Sequence, residues 1–415
     1  MDYQFINLQL EKNIKAELSE LLEADVVREI MRQGKIDQEQ NYFRSIHQGH
    51  SFKITRELLP KLHQMCEEVK SALDFNEPLD FYVTNSPDIN AAAIPKFEDD
   101  ESHLLVFNSG LIEKFDEEEL KFIIGHEIGH LISKNAEFNR IVQFVFPEPN
   151  HIPLIFRNKL TIWQQLSEIA ADRYGYIASP NFDKCITNFF KLSSGLSLDA
   201  AMINPEAYME MIDGEIHKFA ESPQTNLSTH PVHPVRVKAL HHFSQSKLFR
   251  LIQQNKPLEE DKELTDKIME LVKYLVSLKT SEIEFHRANF IASAGFMIAL
   301  ADKNVTDEEI EFIVDALSNF EVFPKSFLHE IIKSEKIEEY FWGSANAILK
   351  INPAERFTMF GYMISIAVRD RQINPEEIEF LYKVGKELFN FEEKEIAQQI
   401  GKIIQEKFVP KLFTN

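Results

Sequence analysis

The run Ile124-Gly125-His126-Glu127-Ile128-Gly129-His130 sets two imidazoles one helical turn apart, with a carboxylate beside the first. Side chains at i and i+4 share a helix face, so His126 and His130 can grip one metal ion while Glu127 lies next to a water on an open coordination position. Zinc suits this donor set and lowers the pKa of such a water to about 7. A neighbouring carboxylate can then take its proton and pass it to a leaving amine. The pattern predicts a hydrolytic site with one Zn2+ per chain and Glu127 as general base.

Histidines on amphipathic helices are commonly ordinary core residues, so the motif needs support from its surroundings. Gly125 and Gly129 supply some: each costs helix stability, and both make sense where another backbone must approach closely. The segment itself reads as a helix. Asp116 is an N-cap acceptor with Glu119 three residues on, and Leu120, Phe122, Ile123 and Ile124 carry the apolar pattern to about Leu131. A catalytic metal needs a third protein ligand. A further histidine six residues after His130, with glycine at the third, is ruled out by Ala136 and Ser133. A second helix around Trp163 to Asp172 offers Glu168 instead. Glu168 and Asp172 share a face, and small Ala170 and Ala171 beside them permit close packing. Glu168 can complete a His, His, Glu set while Asp172 accepts a hydrogen bond from a ligand histidine. In isolation the same acidic pair would read as a solvated face.

These residues resemble the zinc metallopeptidase family that contains the bacterial heat-shock protease HtpX and the CAAX prenyl protease, within the wider gluzincin group. Asn90-Ala91, Asn108-Ser109-Gly110-Leu111, and Ser228-Thr229-His230-Pro231 with Arg236 agree with that family's pattern. The likeness runs roughly from Phe52 to Leu240, about half of the chain. It implies His126, His130 and Glu168 as zinc ligands, Glu127 as general base and Asp172 behind the ligands. It also implies catalytic roles for His230 and Arg236. Either could stabilise the oxyanion of a tetrahedral intermediate, or His230 could fill the open metal position and hold the enzyme latent. A proline-rich surface turn, with Arg236 in a structural ion pair, is the alternative. His233 is read as structural. By the same likeness, the strand His103–Asn108, with Leu104 and Val106, would be an edge on which an extended peptide pairs. A plain buried strand is the competing reading.

Family members are mostly embedded in membranes, and this chain departs from them. Its start lacks a basic region followed by an apolar one, so a secretory signal is not expected. Phe290 to Ala301 and Phe357 to Val368 are each about a dozen residues, short of the roughly 20 that span a bilayer. Pro147, Pro149 and Pro153 break any spanning helix between Ile141 and Phe156, leaving an apolar flap or a packed loop. The 415 residues, with 44% hydrophobic content, suit a protein of two or three domains. Cys66 and Cys185 form no disulfide framework and no metal motif, so a cytoplasmic protein is expected. A net charge of −21 argues against nucleic acid and anionic membranes as partners.

The expected fold class is α+β and mostly helical: a gluzincin-type core with a small sheet, followed by an all-α domain. Residues 1–47 read as a helical leader, in which Leu18, Leu21, Leu22, Val26 and Ile30 suggest one amphipathic helix. Residues 48–245 form the catalytic domain, opening with a helix over Ile54 to Leu73 and a strand over Leu79 to Thr84. Residues 246–282 connect, with Lys256 to Asp261 as the expected linker. Residues 283–415 hold an internal repeat, in which 299–312 aligns with 367–380. Each copy reads as an apolar helix, a loop with Asp302 or Asp370, and a helix capped by Thr306 with Glu309, or by Asn374 with Pro375 and Glu377. This resembles the TerB-like fold of tellurite-resistance proteins. Lysine and arginine stand where that family has glycine after the aspartate, which puts inherited metal binding in doubt.

Together these features predict a zinc-dependent endopeptidase acting on protein or unfolded polypeptide, with a partner-binding or gating role for the C-terminal domain. The alternatives are a latent or adaptor-like protein acting through the helical domain, and an aminopeptidase of small peptides.

Overall fold

Asp116 and Glu119 start the motif helix by exchanging hydrogen bonds: Asp116 Oδ1 accepts from Glu119 N–H at 3.0 Å, and Glu119 Oε2 from Asp116 N–H at 2.8 Å. The computed structural model describes residues 3–34, 38–96, 101–148, 152–196, 204–221, 233–275, 282–299, 306–368 and 375–406. His230, Asp302, Asp370 and Asn374 lie outside the described residues. The fold is mostly helical with one small sheet, and the chain divides into two units, Met1–Leu278 and Lys279–Asn415.

In the first unit, α1 (Gln9–Leu21), α2 (Ala24–Gly34), α3 (Gln38–His50) and α4 (Pro60–Ala72) lead into the sheet. Its strands are β1 (Phe52–Lys53), β2 (Leu79–Thr84), β3 (Ala91–Ile94) and β4 (His103–Asn108), in the order β1-β2-β4-β3. Then follow α5 (Ser109–Lys114), α6 (Glu117–Ile132), α7 (Asn135–Val145), α8 (Leu154–Ala178), α9 (Phe182–Ser194), α10 (Pro205–Glu221), α11 (His233–Ser244), α12 (Lys247–Gln253) and α13 (Lys262–Leu275).

The strand expected at an edge is an inner one. β4 pairs in parallel with β2, Phe81 opposite Leu105, and antiparallel with β3, Ala93 opposite Leu105. Both its hydrogen-bonding sides are used, and Leu104 and Val106 are buried. The unbroken apolar run from Leu104 to Phe107 marks a strand covered on both faces, whereas an edge open on one face would alternate. The outer strand beside β4 is β3.

The leader also differs from the single amphipathic helix expected. Glu23, at φ 48°, takes a left-handed conformation and separates α1 from α2. The break resets the helical phase: Leu18, Leu22 and Val27 are buried, while Leu21, Val26 and Ile30 are exposed. Pro60 sets the start of α4, later than the Ile54 onset expected from periodicity. Lys256 to Asp261 does not divide the units, since α13 beyond it buries Leu264, Ile268, Leu271 and Val272 in the first.

The second unit packs α14 (Glu282–Ala299), α15 (Asp307–Leu317), α16 (Pro324–Lys333), α17 (Ile337–Ile351), α18 (Arg356–Ala367), α19 (Pro375–Glu387) and α20 (Glu393–Glu406). The repeat maps onto α14–α15 and α18–α19. Thr306 and Glu309 form the expected capping box, and α19 begins at Pro375. Phe290, Ile313, Phe341, Phe360 and Leu381 share one core, with Phe290 and Phe341 stacked 5.7 Å apart.

α6 and α8 meet backbone to backbone. A Cβ on Gly125 would stand 2.7 Å from Ala178 Cβ and 2.8 Å from the Tyr174 carbonyl oxygen, and one on Gly175 would stand 2.7 Å from the Phe122 carbonyl oxygen. Gly125→Ala is expected to lower unfolding free energy by about 1–3 kcal/mol, the usual range for overpacking. Gly214→Ala, at an exposed α10 position with nothing within 4 Å, is expected to raise it by up to about 1 kcal/mol through helix propensity. Urea unfolding of the two variants checks the contrast.

Burial pushes the Glu11 carboxyl on α1 up to about 7, partly offset by the charges of Lys15, His130 and Arg173. A raised carboxyl favours the folded state while protonated. That stability is complete below the ordinary carboxylate range and is lost as pH rises through about 7. Glu11→Gln should remove a fall on the order of 3 kcal/mol across that window, measured by urea unfolding at pH 4.5 and 7.5.

Candidate metal centre

The close approach of α6 and α8 turns His126 and His130 toward Glu168. His126 Nε2 and His130 Nε2 lie 3.1 Å apart. Glu168 Oε1 is 3.3 Å from His130 Nε2, and Oε2 is 3.6 Å from His126 Nε2. Three donors about 2.0–2.1 Å from a tetrahedral zinc ion stand about 3.3–3.4 Å from one another. The observed separations match that spacing, and two imidazoles with a carboxylate are the donor chemistry zinc takes.

The atoms behind the donors fix which nitrogen faces the cluster. Asp172 Oδ1 is 3.0 Å from His126 Nδ1, so the ring hydrogen sits on Nδ1 and the Nε2 lone pair points inward. Arg236, buried on α11, donates to Asp172 from Nε at 2.8 Å and from Nη2 at 2.6 Å, and its Nη1 is 3.4 Å from Glu168 Oε2. Its guanidinium therefore serves the two carboxylates of α8, in the ion pair weighed above against an oxyanion role. Burial opposes ionisation of Asp172, but the charge and hydrogen bonds of Arg236 outweigh it and hold the carboxyl below its usual range. Burial likewise opposes ionisation of Glu168. The His130 hydrogen bond and the Arg236 charge hold it well below that range.

Glu127 stands on the other side of the cluster. Its Oε2 accepts from the Ala93 N–H of β3 at 2.9 Å. Burial raises its pKa, an effect offset by His130 and His126 and reinforced by Glu168. The carboxylate is thus held by the outer strand within electrostatic reach of His126, His130 and Glu168.

Asn135 joins the centre without having been expected from the sequence. Lys134, left-handed at φ 52°, folds the chain back after α6, and Asn135 Nδ2 comes to 3.2 Å from His130 Nδ1. Its Oδ1 is buried without a hydrogen-bond partner. Turning the amide by 180° sets Oδ1 on a His130 Nδ1–H and leaves the Nε2 lone pair for a metal, which repeats at His130 what Asp172 does at His126. A polar residue five positions past the second histidine is the only trace of this in the sequence. His233 opens α11 with its ring 6.1 Å from Phe189.

Residues 58–149 match the model of Peptidase family M48. The match takes in β2, β3, β4 and α6, hence His126, Glu127 and His130. It ends before α8, so Glu168, Asp172 and Arg236 join the centre through the geometry above. The plastoglobule-localized metallopeptidase 48, chloroplastic, of Arabidopsis thaliana is 24% identical over 213 residues, covering 48% of this chain and 61% of that protein. The chain thus spans about three fifths of the length of this relative. No solved structure matches. Among the described residues no helix is long and apolar enough to cross a membrane.

Glu168→Ala is expected to abolish tight zinc binding, while Asp172→Asn and Asn135→Ala should each weaken it by roughly 10–100-fold, as loss of a residue behind a ligand usually does. Competition against a chromophoric chelator measures all three. Unchanged affinity in Glu168→Ala would remove it from the donor set.

Proposed function

We propose that the chain is a zinc-dependent endopeptidase, resembling HtpX-like enzymes, in which His126, His130 and Glu168 hold the ion. The observation that carries this reading is the placement of Glu127 between the three converging donors and β3. Bound zinc would supply Lewis acidity toward water and the scissile carbonyl. Glu127 takes the proton of the attacking water and returns it to the leaving amine. Asp172 and Asn135 hold the two imidazoles in the required tautomer and orientation, and Arg236 keeps Asp172 ionised.

The substrate lies along β3. Antiparallel pairing with β4 turns alternate backbone groups of β3 outward, and the Ala93 N–H that meets Glu127 is one of them. A strand added there pairs through main-chain atoms and runs past the base. Ala91, Ala92 and Ala93 present only methyl groups, so sequence demands are weak and an unfolded segment is the fitting substrate. A strand passing through the site favours internal cleavage over removal of terminal residues. Cys66 and Cys185 are free and buried, in keeping with a reducing compartment such as the cytoplasm. The second unit, read as TerB-like, would bind a partner or gate access. His230, with its helper or latch role, lies outside the described residues.

The purified chain is expected to carry one zinc and to cleave a casein-like unfolded protein internally. Glu127→Gln should retain the metal and lose at least about two orders of magnitude in rate. Metal analysis with mass spectrometry of the products checks this. Wild-type turnover in the Glu127→Gln variant would overturn the mechanism, and products trimmed only from one end would favour the aminopeptidase.

A further inference from the structure

Arg173 follows Asp172 on α8 but faces the opposite way, toward the leader and α13. It is 3% exposed and makes no ion pair among the described residues, with Glu11 and Asp261 acting on it only as nearby charges. Nη1 donates to the Ile6 carbonyl at 2.9 Å, the guanidinium lies over the Phe243 ring at 5.2 Å, and Nε is buried without a hydrogen-bond partner. Burial lowers its pKa to about 10, so the charge persists at neutral pH. A buried cation without a bound counter-charge costs several kcal/mol, and the structure shows what stands beside it. Arg173 lines a cavity of about 360 Å3 between the leader, α8, α12 and α13, within the size range of small-molecule sites.

The other walls set the chemistry of an occupant. Leu8, Leu248, Leu264, Ile268 and Val272 line the cavity and are buried, so one part of the wall is aliphatic, while Gln4, Asn7, Gln9, Lys12 and Thr265 make another part polar. Glu260 and Asp261 lie at the same cavity. Both carboxylate oxygens of Asp261 are engaged, by the N–H groups of Leu248 and Leu264 at 3.1 Å each, so Asp261 is tied to the starts of α12 and α13. Arg173 and Lys12 stand against Glu260 and Asp261 in the lining, so the cavity is close to neutral, which disfavours a dianion such as a phosphate monoester and leaves room for one negative charge on a partly apolar body.

We propose that this cavity binds a medium-chain fatty-acid anion, its carboxylate on the Arg173 guanidinium and its chain among the aliphatic side chains of α12 and α13. The carboxylate supplies a counter-charge in direct contact, where Glu11 and Asp261 act on Arg173 only from a distance, and it can accept from the guanidinium N–H groups. The chain takes the apolar volume. The site is independent of the peptidase reading, although its cation neighbours Asp172 on the helix that carries Glu168.

Calorimetry and thermal melting of the full chain with decanoate, kept below its micelle concentration, test the proposal. Decanoate should bind saturably at one site and raise Tm, and decan-1-ol and decylammonium should bind at least about ten-fold more weakly, as expected for a charge-assisted contact. Arg173→Met should weaken decanoate at least about ten-fold, with partial rescue in Arg173→Lys. Met269→Trp, at an exposed position lining the cavity, should block binding without touching Arg173, and decides the matter if Arg173→Met fails to fold. Equal binding of decanoate and decan-1-ol, wild-type affinity in Met269→Trp, or no saturable binding would each overturn the proposal.

Discussion

The backbone contact between α6 and α8 is the constraint on which the rest of the candidate metal centre depends. Gly125 lies under Tyr174 and Ala178, Gly129 under the Tyr174 ring, and Gly175 under Phe122. Side chains at these positions would push the helices apart. The donors of α6 and α8 stand 3.3–3.6 Å from one another across this seam, and a tetrahedral ion tolerates little widening. The helix propensity lost at the glycines is offset by a metal-donor geometry that no bulkier pairing could hold.

The electrostatics of the seam are arranged around Asp172. This carboxylate is buried, yet two hydrogen bonds from Arg236 and one shared with His126 keep it ionised. Burying a lone carboxylate would cost more than folding can spare, whereas one satisfied on both oxygens can act as a fixed negative point behind a ligand. α11 thereby becomes part of the centre through Arg236. Glu119 does similar work at the N-terminus of α6, where it completes the capping box and meets buried Lys191 at 2.7 Å. Both ends of the working face are pinned, one by a cap and one by a charge network.

What could be read from the sequence was local. The Asp116 cap, the span of α6 and the facing of His126 and His130 follow from spacing within one helix, and Glu168 and Asp172 from spacing within another. The capped half of the repeat at Thr306 was legible for the same reason. Features set by tertiary contact were not. The order of strands places β3 outside and β4 inside, which no property of Leu104 or Val106 announces beyond their unbroken hydrophobicity. The left-handed turns at Glu23 and Lys134 occur at residues without glycine's freedom, so neither the break in the leader nor the return of Asn135 to His130 had a local signal. Arg236 was visible as a cation, but its partner lies 64 positions away.

The proposed function requires a single ion held across the α6–α8 seam, and zinc-edge anomalous diffraction from crystals grown with zinc locates it most directly. One anomalous peak is predicted about 2.0–2.1 Å from His126 Nε2, His130 Nε2 and a Glu168 oxygen, with His126 Nδ1 still on Asp172 and Glu127 beside the ion but not bound to it. A peak held by other residues, no peak at the seam, or Glu127 in place of Glu168 as the third ligand would contradict it.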